Sequence, residues 1–179
     1  SESIKIFYAG LFGVAQGVLE LCEKIDLGRL NIELHLFGDG AEKTAIEAFI
    51  SSNTDRKIFF HGMLQRNALH EKLRTFDIAI VPLKTRIYGS VPSKIFEYGA
   101  LGFPILYFGG GEGENIVNEN SLGWVCQVEN YTDLNEKLIE LSNLSKTEIH
   151  KMKQTIFKKS QEVFNLEKQM NYLLDKGVF

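Results

Sequence analysis

Residues 81–114 read VPLKTRIYGSVPSKIFEYGALGFPILYFGGGEGE and contain all three prolines of the chain and seven of its 16 glycines. The pattern predicts a buried strand at residues 77–81, a loop, a helix that begins near Pro92, and a second strand at residues 104–108 followed by glycines. A helix that begins inside such a loop presents unpaired N–H groups and the positive end of its dipole to whatever lies in front of it. We therefore expect a strand–helix–strand unit with an anion such as phosphate bound where the helix begins.

The first residues of this helix carry the expected chemistry. Pro92 suits the first turn because its φ is preset, and Ser93 can cap the helix or donate a hydrogen bond. Lys94 supplies a positive charge, and Glu97 lies three residues further on, on the same side of the helix. A cation for phosphate beside a carboxylate for sugar hydroxyls suits a nucleotide. The alternative that Lys94 is an ordinary surface lysine stays open from the residues alone.

The alternation of strand and helix patterns continues along the whole chain. Strands are predicted at residues 4–9, 31–37, 57–61, 77–81, 104–108 and 124–128. Helices are predicted at residues 15–25, 41–51, 67–75, 93–100, 114–120, 132–143, 146–163 and 166–176. This order predicts an α/β fold with a Rossmann-like, doubly wound, mostly parallel six-stranded sheet and helices on both faces. The 179 residues are expected to form one domain that binds ligands at the carboxyl ends of its strands.

Composition and charge exclude several classes of protein. Hydrophobic residues make up 44% of the chain and charged residues 24%, which is typical of a folded domain and argues against disorder. The net charge of −3 argues against a nucleic-acid partner. Cys22 and Cys126 have no CxxC spacing, which predicts buried free thiols in a reducing, cytoplasmic compartment. The four histidines form no HxxxH pattern, so no metal site is predicted, and no segment has the apolar length of a membrane span.

Glycines follow most of the predicted strands at the edge where ligands of this fold bind. They are Gly10 and Gly13 after the first strand, Gly38 and Gly40 after the second, Gly62 after the third, and residues 109–111 after the fifth. A turn explains any one of them, but the whole set indicates close approach of the backbone to a ligand. Met63 and Leu64 follow Gly62 and are candidates to pack on a nucleotide base.

Signatures of other nucleotide-binding and hydrolytic folds are missing. The turn AGLFGVAQG at residues 9–17 departs from the GxGxxG spacing, and the predicted second strand closes on Phe37 and Gly38 rather than on an acidic residue. Both observations argue against an NAD-dependent dehydrogenase. The chain has no GxxxxGK[ST] motif, and His61 ends the third strand where a receiver domain has an aspartate. A GxSxG nucleophile motif is also missing.

The segment VPSKIFEYGALGFPI at residues 91–105 resembles the donor-site signature of the GT-B glycosyltransferases, specifically family 4 of the retaining enzymes, also described as glycosyl transferases group 1. The segments AGLFGVAQG, LHLFGDG, FFHGML and FDIAIVPL resemble, in that order, other nucleotide-facing elements of the same half. The resemblance covers roughly residues 4–141 and is most specific at residues 92–104. It implies the C-terminal, donor-binding domain of a hexosyltransferase-type enzyme of cell-surface polysaccharide, lipopolysaccharide or capsule biosynthesis.

The resemblance also implies roles for single residues. Glu97 falls on the second of two signature glutamates, the one that holds the ribose hydroxyls of the nucleotide. Gly89 stands where the first glutamate would lie near the transferred sugar, which assigns that contact to backbone amides at residues 89–91. Gln16 stands where a lysine is frequent, so neutralisation of the donor phosphates is expected from Lys94, with Arg86 as a second candidate.

The full predicted donor-binding set consists of Gly10, Gly13, Gly38, Gly62, Met63, Ser93, Lys94 and Glu97. No cofactor and no metal ion are expected, because amide dipoles and a lysine can stabilise a departing diphosphate. A catalytic residue is not assigned. Glu112 and Glu114 fit a general base, but acidic residues at the start of a helix also stabilise its dipole.

The predicted partners follow from the two-domain organisation of GT-B enzymes. The resemblance covers one domain, so an acceptor-binding domain is expected before residue 1, and the isolated chain is expected to bind a nucleotide-diphosphate sugar without turning it over. Residues 164–179 are predicted as a terminal helix that packs either toward that missing domain or on its own core. The expected acceptor is a lipid-linked saccharide at the inner membrane face. A non-catalytic regulatory module and a flavodoxin-like interaction domain stay open as alternatives.

Overall fold

The computed structural model describes residues 2–86 and 89–163. Within them the strands are β1 (Ile4–Leu11), β2 (Ile32–Asp39), β3 (Ile58–Phe60), β4 (Ile78–Pro82), β5 (Ile105–Phe108) and β6 (Gly123–Val125). The α-helices are α1 (Val18–Lys24), α2 (Lys43–Ser52), α3 (Arg66–Leu73), α4 (Ser93–Ala100), α5 (Glu112–Glu119), α6 (Tyr131–Ser142) and α7 (Lys146–Val163). The predicted helix at residues 166–176 lies outside the described residues.

The strands form one sheet in the order β3-β2-β1-β4-β5-β6, and each described strand pair is parallel. The Rossmann-like sheet predicted from the sequence is confirmed. Chain order reverses between β1 and β4, which pair at Ile6–Ile78 and Phe7–Ala79. Ligands of such sheets bind in the crevice beyond the carboxyl ends of the two strands at this switch point.

Helices cover both faces of the sheet. On one face α1, α2 and α6 pack on side chains such as Ile6, Leu34 and Leu106. On the other face α3, α4 and α5 pack on the alternate side chains of the same strands, such as Phe7 and Tyr107. The long helix α7 contributes its buried side chains to both layers. The alternation of side chains along each strand explains why one strand supplies both cores.

Two sequence predictions, one about the first helix and one about the end of the second strand, are wrong. The helix predicted at residues 15–25 is interrupted, because Gly17 adopts a left-handed conformation (φ 62°, ψ 30°) between a 3₁₀ turn at Val14–Gln16 and α1. The Lys84 N–H donates to the Ala15 carbonyl at 2.9 Å, so this turn is bound to the loop after β4. The second strand ends on the acidic residue Asp39, because its pairing with β1 continues to Leu11.

The remaining predicted elements within residues 2–86 and 89–163 are confirmed, with ends that differ by a few residues at most. The strand predicted at residues 124–128 is the shorter β6, and α5 begins two residues earlier than predicted, at Glu112. None of the described helices combines the length and the apolar composition that crossing a bilayer requires.

Candidate nucleotide-sugar site

Tyr98 of α4 is hydrogen-bonded to the backbone of β1 at the switch point between β1 and β4. Its ring is buried, with 1% of its surface exposed. Its hydroxyl donates to the Ala9 carbonyl at 2.8 Å and accepts from the Ala9 N–H at 3.1 Å. These bonds satisfy the backbone of β1 where its described pairing with β4 has ended. Burial raises the pKa of the Tyr98 hydroxyl far above its usual value, so it remains a neutral donor and acceptor. The position of α4 is therefore tied directly to the carboxyl end of β1.

Two cavities lie at this edge of the sheet. The larger has a volume of about 470 Å³ and is formed mainly by the ends of β1 and β2 and by the loop after β3. Its lining includes Ala9, Gly10, Leu11, Phe37, Gly38, Asp39, Gly40, Met63, Leu64, Leu69 and Lys94. The smaller has a volume of about 270 Å³ and is lined by Tyr8, Leu11, Gln16, Val81, Pro82, Leu83, Ser90, Pro92, Ser93 and Lys94. Leu11 and Lys94 line both cavities, so the two adjoin at the switch point.

Lys94 is the cation between the two cavities. Its Nζ lies 3.1 Å from Glu97 Oε2 and 5.5 Å from the centre of the Tyr98 ring. A Cβ on Gly10 would lie 3.3 Å from Lys94 Cε, so the glycine gives the lysine stem room to cross the end of β1. In this structure the ammonium group is paired with a carboxylate, and both side chains are about one third exposed.

Glu97 lies behind Lys94 rather than in the wall of a cavity. It is one turn along α4 and lines neither of the two cavities described above. The sequence predicted that Lys94 and Glu97 share one side of the helix, and their ion pair confirms this. The role of Glu97 toward a ribose stays a prediction.

Gly38 is required by the sheet itself. A Cβ built on Gly38 (φ 146°) would lie 1.8 Å from the carbonyl oxygen of Gly10, which no side chain can accommodate. Gly40 faces the backbone of Phe12 in the same way, at 2.6 Å. Both residues line the larger cavity, but contact between neighbouring chain segments is sufficient to explain why they are glycines.

The other predicted residues near the larger cavity have different positions. Met63 lines this cavity and is 75% exposed, which is unusual for a large apolar side chain. Gly62 adopts a positive φ of 72°, and its carbonyl accepts the Gly38 N–H at 2.9 Å, so it attaches the loop after β3 to β2. Gly13 precedes the 3₁₀ turn with extended backbone. Like Glu97, the predicted binders Gly13 and Gly62 line neither cavity.

The loop between β4 and α4 is attached to the start of α5. Glu112 Oε1 accepts the Gly89 N–H at 3.0 Å, and Arg86 lies 3.4 Å from Glu114 Oε2. The Gly89 N–H holds the pKa of the Glu112 carboxyl below its usual value, with a smaller contribution from Arg86. Arg86, the second candidate for the phosphates, lines neither cavity and is directed at Glu114. The two acidic residues thus position the loop in addition to stabilising the dipole of α5.

The start of α4 faces the smaller cavity. Pro92 and Ser93 line it, and no side chain among the described residues caps this helix. Uncapped first-turn N–H groups are the arrangement that favours an anion, and anion binding at this position stays a prediction. No group of three or more described His, Cys, Asp or Glu residues is arranged to hold a metal ion. Metal independence stays a prediction.

The sequence model of the family described as glycosyl transferases group 1 matches residues 3–143. The chain belongs to this family. The match includes the residues predicted to form the donor site, from Gly10 to Glu97. It ends before α7 begins.

Proteins similar to this member of the glycosyl transferases group 1 agree with that assignment. The probable glycosyltransferase WbjE of Pseudomonas aeruginosa is 25% identical over 166 residues, which make up 90% of this chain and 42% of WbjE. The chain therefore spans less than half the length of this curated relative.

Two solved structures have the same fold. The C-terminal domain of the glycosyl transferase group 1 family protein LpcC from Francisella tularensis superposes with a TM-score of 0.70 at 16% identity, over 90% of this chain and 86% of that domain. TarM of S. aureus, in a complex that contains UDP, superposes with a TM-score of 0.78 at 17% identity, over 98% of this chain and 35% of TarM. These likenesses confirm the predicted Rossmann-like fold.

Three residues of the candidate site were not predicted from the sequence. Leu11 lines both cavities, but its sequence context is that of an ordinary strand end. Asp39 lines the larger cavity, and its carboxylate accepts the Gly40 N–H at 2.8 Å. The Asp-Gly pair at residues 39–40 could have identified it as the end of a strand. Tyr98 follows Glu97 directly, and nothing local indicates that its hydroxyl reaches β1.

Proposed function

We propose that this chain is the donor-binding domain of a glycosyltransferase and that it binds a nucleotide-diphosphate sugar across the two adjoining cavities. The supporting observation is the position of Lys94, at the start of α4 and in the lining of both cavities. In the proposal, the larger cavity takes the base and the ribose, with Phe37, Met63 and Leu64 as apolar contacts. The smaller cavity takes the phosphates and the sugar.

The Lys94–Glu97 ion pair supports a division of labour when a donor binds. A diphosphate competes with Glu97 for the Lys94 ammonium, because its two phosphates together carry about two negative charges and a carboxylate carries one. The Glu97 carboxylate is then released to accept hydrogen bonds from the two ribose hydroxyls. In this way the Lys94–Glu97 pair supplies both recognition elements that the sequence predicted.

The chemistry assigned to this domain is stabilisation of the leaving group. During transfer the bond between the anomeric carbon and the diphosphate oxygen breaks, and its electron pair remains on the diphosphate. The acceptor hydroxyl forms the new bond to that carbon and loses its proton to a base outside the residues assigned here. In the proposal, Lys94 and the N–H groups at the start of α4 stabilise the oxygen that gains charge.

Calorimetric titration with UDP, GDP, ADP and CMP, and with sugar conjugates of the best of these, tests the proposal. We expect Glu97→Gln and Lys94→Met to weaken binding by about tenfold to a hundredfold, the effect of losing a hydrogen bond to a charged group. The pair Lys137 and Glu140 on α6 has the same spacing of three and is in contact. Lys137→Met and Glu140→Gln are therefore matched controls that we expect to bind like the parent chain.

The same titrations separate the alternatives. Absence of binding to every nucleotide would refute a donor site and favour an interaction domain. Binding of nucleotides with no preference for a sugar conjugate, and no transfer when the rest of the enzyme is supplied, would favour a regulatory module. Equal affinity of Glu97→Gln and the parent chain would reject the ribose contact alone.

The proposal extends to the whole enzyme. We propose an acceptor-binding second domain, a saccharide acceptor of cell-surface polysaccharide assembly, and a cytoplasmic location with access to the inner membrane face. These proposals rest on the resemblance and on the share of WbjE that this chain spans. Incubation with a radiolabelled donor and a lipid-linked acceptor should give product with the full-length enzyme and none with this domain by itself.

A further inference from the structure

A chain of four polar side chains crosses the α3 side of the sheet. Ser3 Oγ donates to Glu33 Oε1 at 2.6 Å, Glu33 Oε2 lies 3.0 Å from His35 Nε2, and His35 Nδ1 lies 2.9 Å from His61 Nε2. The two imidazole rings are inclined by 10°, with centroids 5.2 Å apart. The bond between them therefore lies close to the plane of both rings.

The direction of the hydrogen bonds along these four side chains follows from the Glu33 carboxylate. An ionised carboxylate can only accept, so the Glu33 contact requires a proton on His35 Nε2. In neutral His35, Nδ1 is then an acceptor, and it accepts a hydrogen bond from His61 Nε2–H. The arrangement fixes one tautomer for both rings, and it leaves His61 with an unprotonated Nδ1.

Protons added to this pair change the arrangement. One additional proton on His35 turns its Nδ1 into a donor, which reverses the bond and moves the His61 proton to its other nitrogen. A second proton places two N–H groups face to face and breaks the bond between the rings. Each step alters either the orientation or the tautomer of His61.

His61 is connected to the wall of the larger cavity in two ways. It directly precedes Gly62, and the next two residues, Met63 and Leu64, line that cavity. Its ring also stacks on Phe37, another lining residue, with centroids 4.5 Å apart and an interplanar angle of 12°. A change at His61 is thus transmitted to two sides of the same cavity.

The surroundings of the pair favour its neutral form. Burial lowers the pKa of both His35 and His61; Glu33 partly opposes this at His35, and His35 lowers the pKa of His61 further. The other charged groups that act on the pair are Lys5 of β1 and Lys72 of α3, and both lower the pKa of His35. Burial opposes ionisation of Glu33, but its hydrogen bonds from Ser3 and His35 outweigh this and keep its pKa below the usual value.

We infer that His61 is a positioning residue for the nucleotide, held in one tautomer by Ser3, Glu33 and His35, and that protonation of the histidine pair weakens donor binding. This inference rests on the proposed function, because it needs a nucleotide in the larger cavity. In other words, the position of Phe37 and Met63 against the nucleotide base depends on His35 and His61 being neutral.

The test is calorimetric titration with UDP from pH 5.5 to pH 8.0, followed by GDP or ADP if UDP does not bind. Glutamine can place its amide N–H where His61 Nε2 donates, but it cannot be protonated. We expect His61→Gln to bind within about threefold of the parent chain at pH 8.0, and His61→Leu to bind more weakly at every pH. Between pH 8.0 and pH 5.5 the parent chain should lose about twofold to fivefold more affinity than His61→Gln, because one proton is coupled to binding at a site whose pKa is lowered. The titration of the nucleotide itself cancels in this comparison.

His150 lies on α7 outside the lining of both nucleotide cavities, so His150→Gln is the matched control and should retain the pH profile of the parent chain. Parallel pH profiles of His61→Gln and the parent chain would overturn the inference while leaving the proposed function intact. A merely structural role for His61 would lower the melting temperature of His61→Leu without changing its affinity at pH 8.0, and that result would also overturn it. Absence of binding in the parent chain at pH 8.0 would instead refute the proposed function, and this inference with it.

Discussion

Replacing Tyr98 with phenylalanine removes a hydroxyl that makes two hydrogen bonds to the backbone of a single residue. The Ala9 N–H and carbonyl, at 3.1 Å and 2.8 Å from this hydroxyl, would both lose their partner at a position where Ala9 is 2% exposed. Leaving a buried polar group unsatisfied costs about 1–3 kcal/mol. We therefore expect Tyr98→Phe to lower the free energy of unfolding by about 2–4 kcal/mol, more than the loss of one ordinary hydrogen bond.

Tyr107 is a matched control for this substitution. It is as fully buried, and its hydroxyl donates one bond, to the Gly110 carbonyl at 2.8 Å. We expect Tyr107→Phe to cost about 1–2 kcal/mol, since one acceptor rather than a donor and an acceptor is left. Urea unfolding at 25 °C measures both variants, and an unchanged m-value would show that the midpoint shift reports stability.

A Tyr98→Phe variant that is no more destabilised than Tyr107→Phe would contradict the double role of the Tyr98 hydroxyl. Nucleotide titration of the same variant provides a second measurement. Because Tyr98 ties α4 to β1, its loss should also weaken binding at the cavities that share Lys94. Unchanged affinity would show that α4 keeps its position without this hydroxyl.

Three further results are expected. Gly38→Ala should yield little folded protein, because its Cβ would lie 1.8 Å from the Gly10 oxygen. In Gly62→Ala the Cβ meets open space, so the variant should lose only about 1 kcal/mol of stability, or somewhat more, for its positive φ. Circular dichroism of the two variants checks this, and equal stability would contradict it. Glu112→Ala should loosen the loop at residues 83–92, seen as faster tryptic cleavage there than in a Glu119→Ala control. Stability should fall as the pH drops below about 6.5, because burial lowers the pKa of His35 and His61 in the folded protein, so the unfolded chain takes up protons first. Urea midpoints that do not change between pH 5 and pH 8 would refute this.

Local patterns predicted the helices around the site accurately. The helix α4 begins and ends where the sequence placed it, at residues 93–100, because its apolar residues recur at helical spacing; Pro92 lies directly before it, as the N-cap residue rather than in the first turn. The helix α7 is likewise found at residues 146–163. The ion pair of Lys94 and Glu97 followed from their spacing of three, since such neighbours meet on any helix.

The predictions that were wrong depended on distant parts of the chain. Gly17 interrupts the first helix where Ala15 binds the backbone of Lys84, a residue that the local pattern cannot bring near. The strand β2 continues to Asp39 because β1 continues to Leu11 beside it. Strand ends of this kind are determined by the register of the neighbouring strand.

The sequence by itself determined the alternating α/β architecture, the family signature and the face that Lys94 shares with Glu97, because each depends on residues a few positions apart. The tertiary structure decided that Tyr98 binds Ala9, that Gly38 must be a glycine, and that the two cavities adjoin at Lys94. These features depend on the order of parallel strands, which places together residues many positions apart in the chain. Spacing within one segment carries no information about that order.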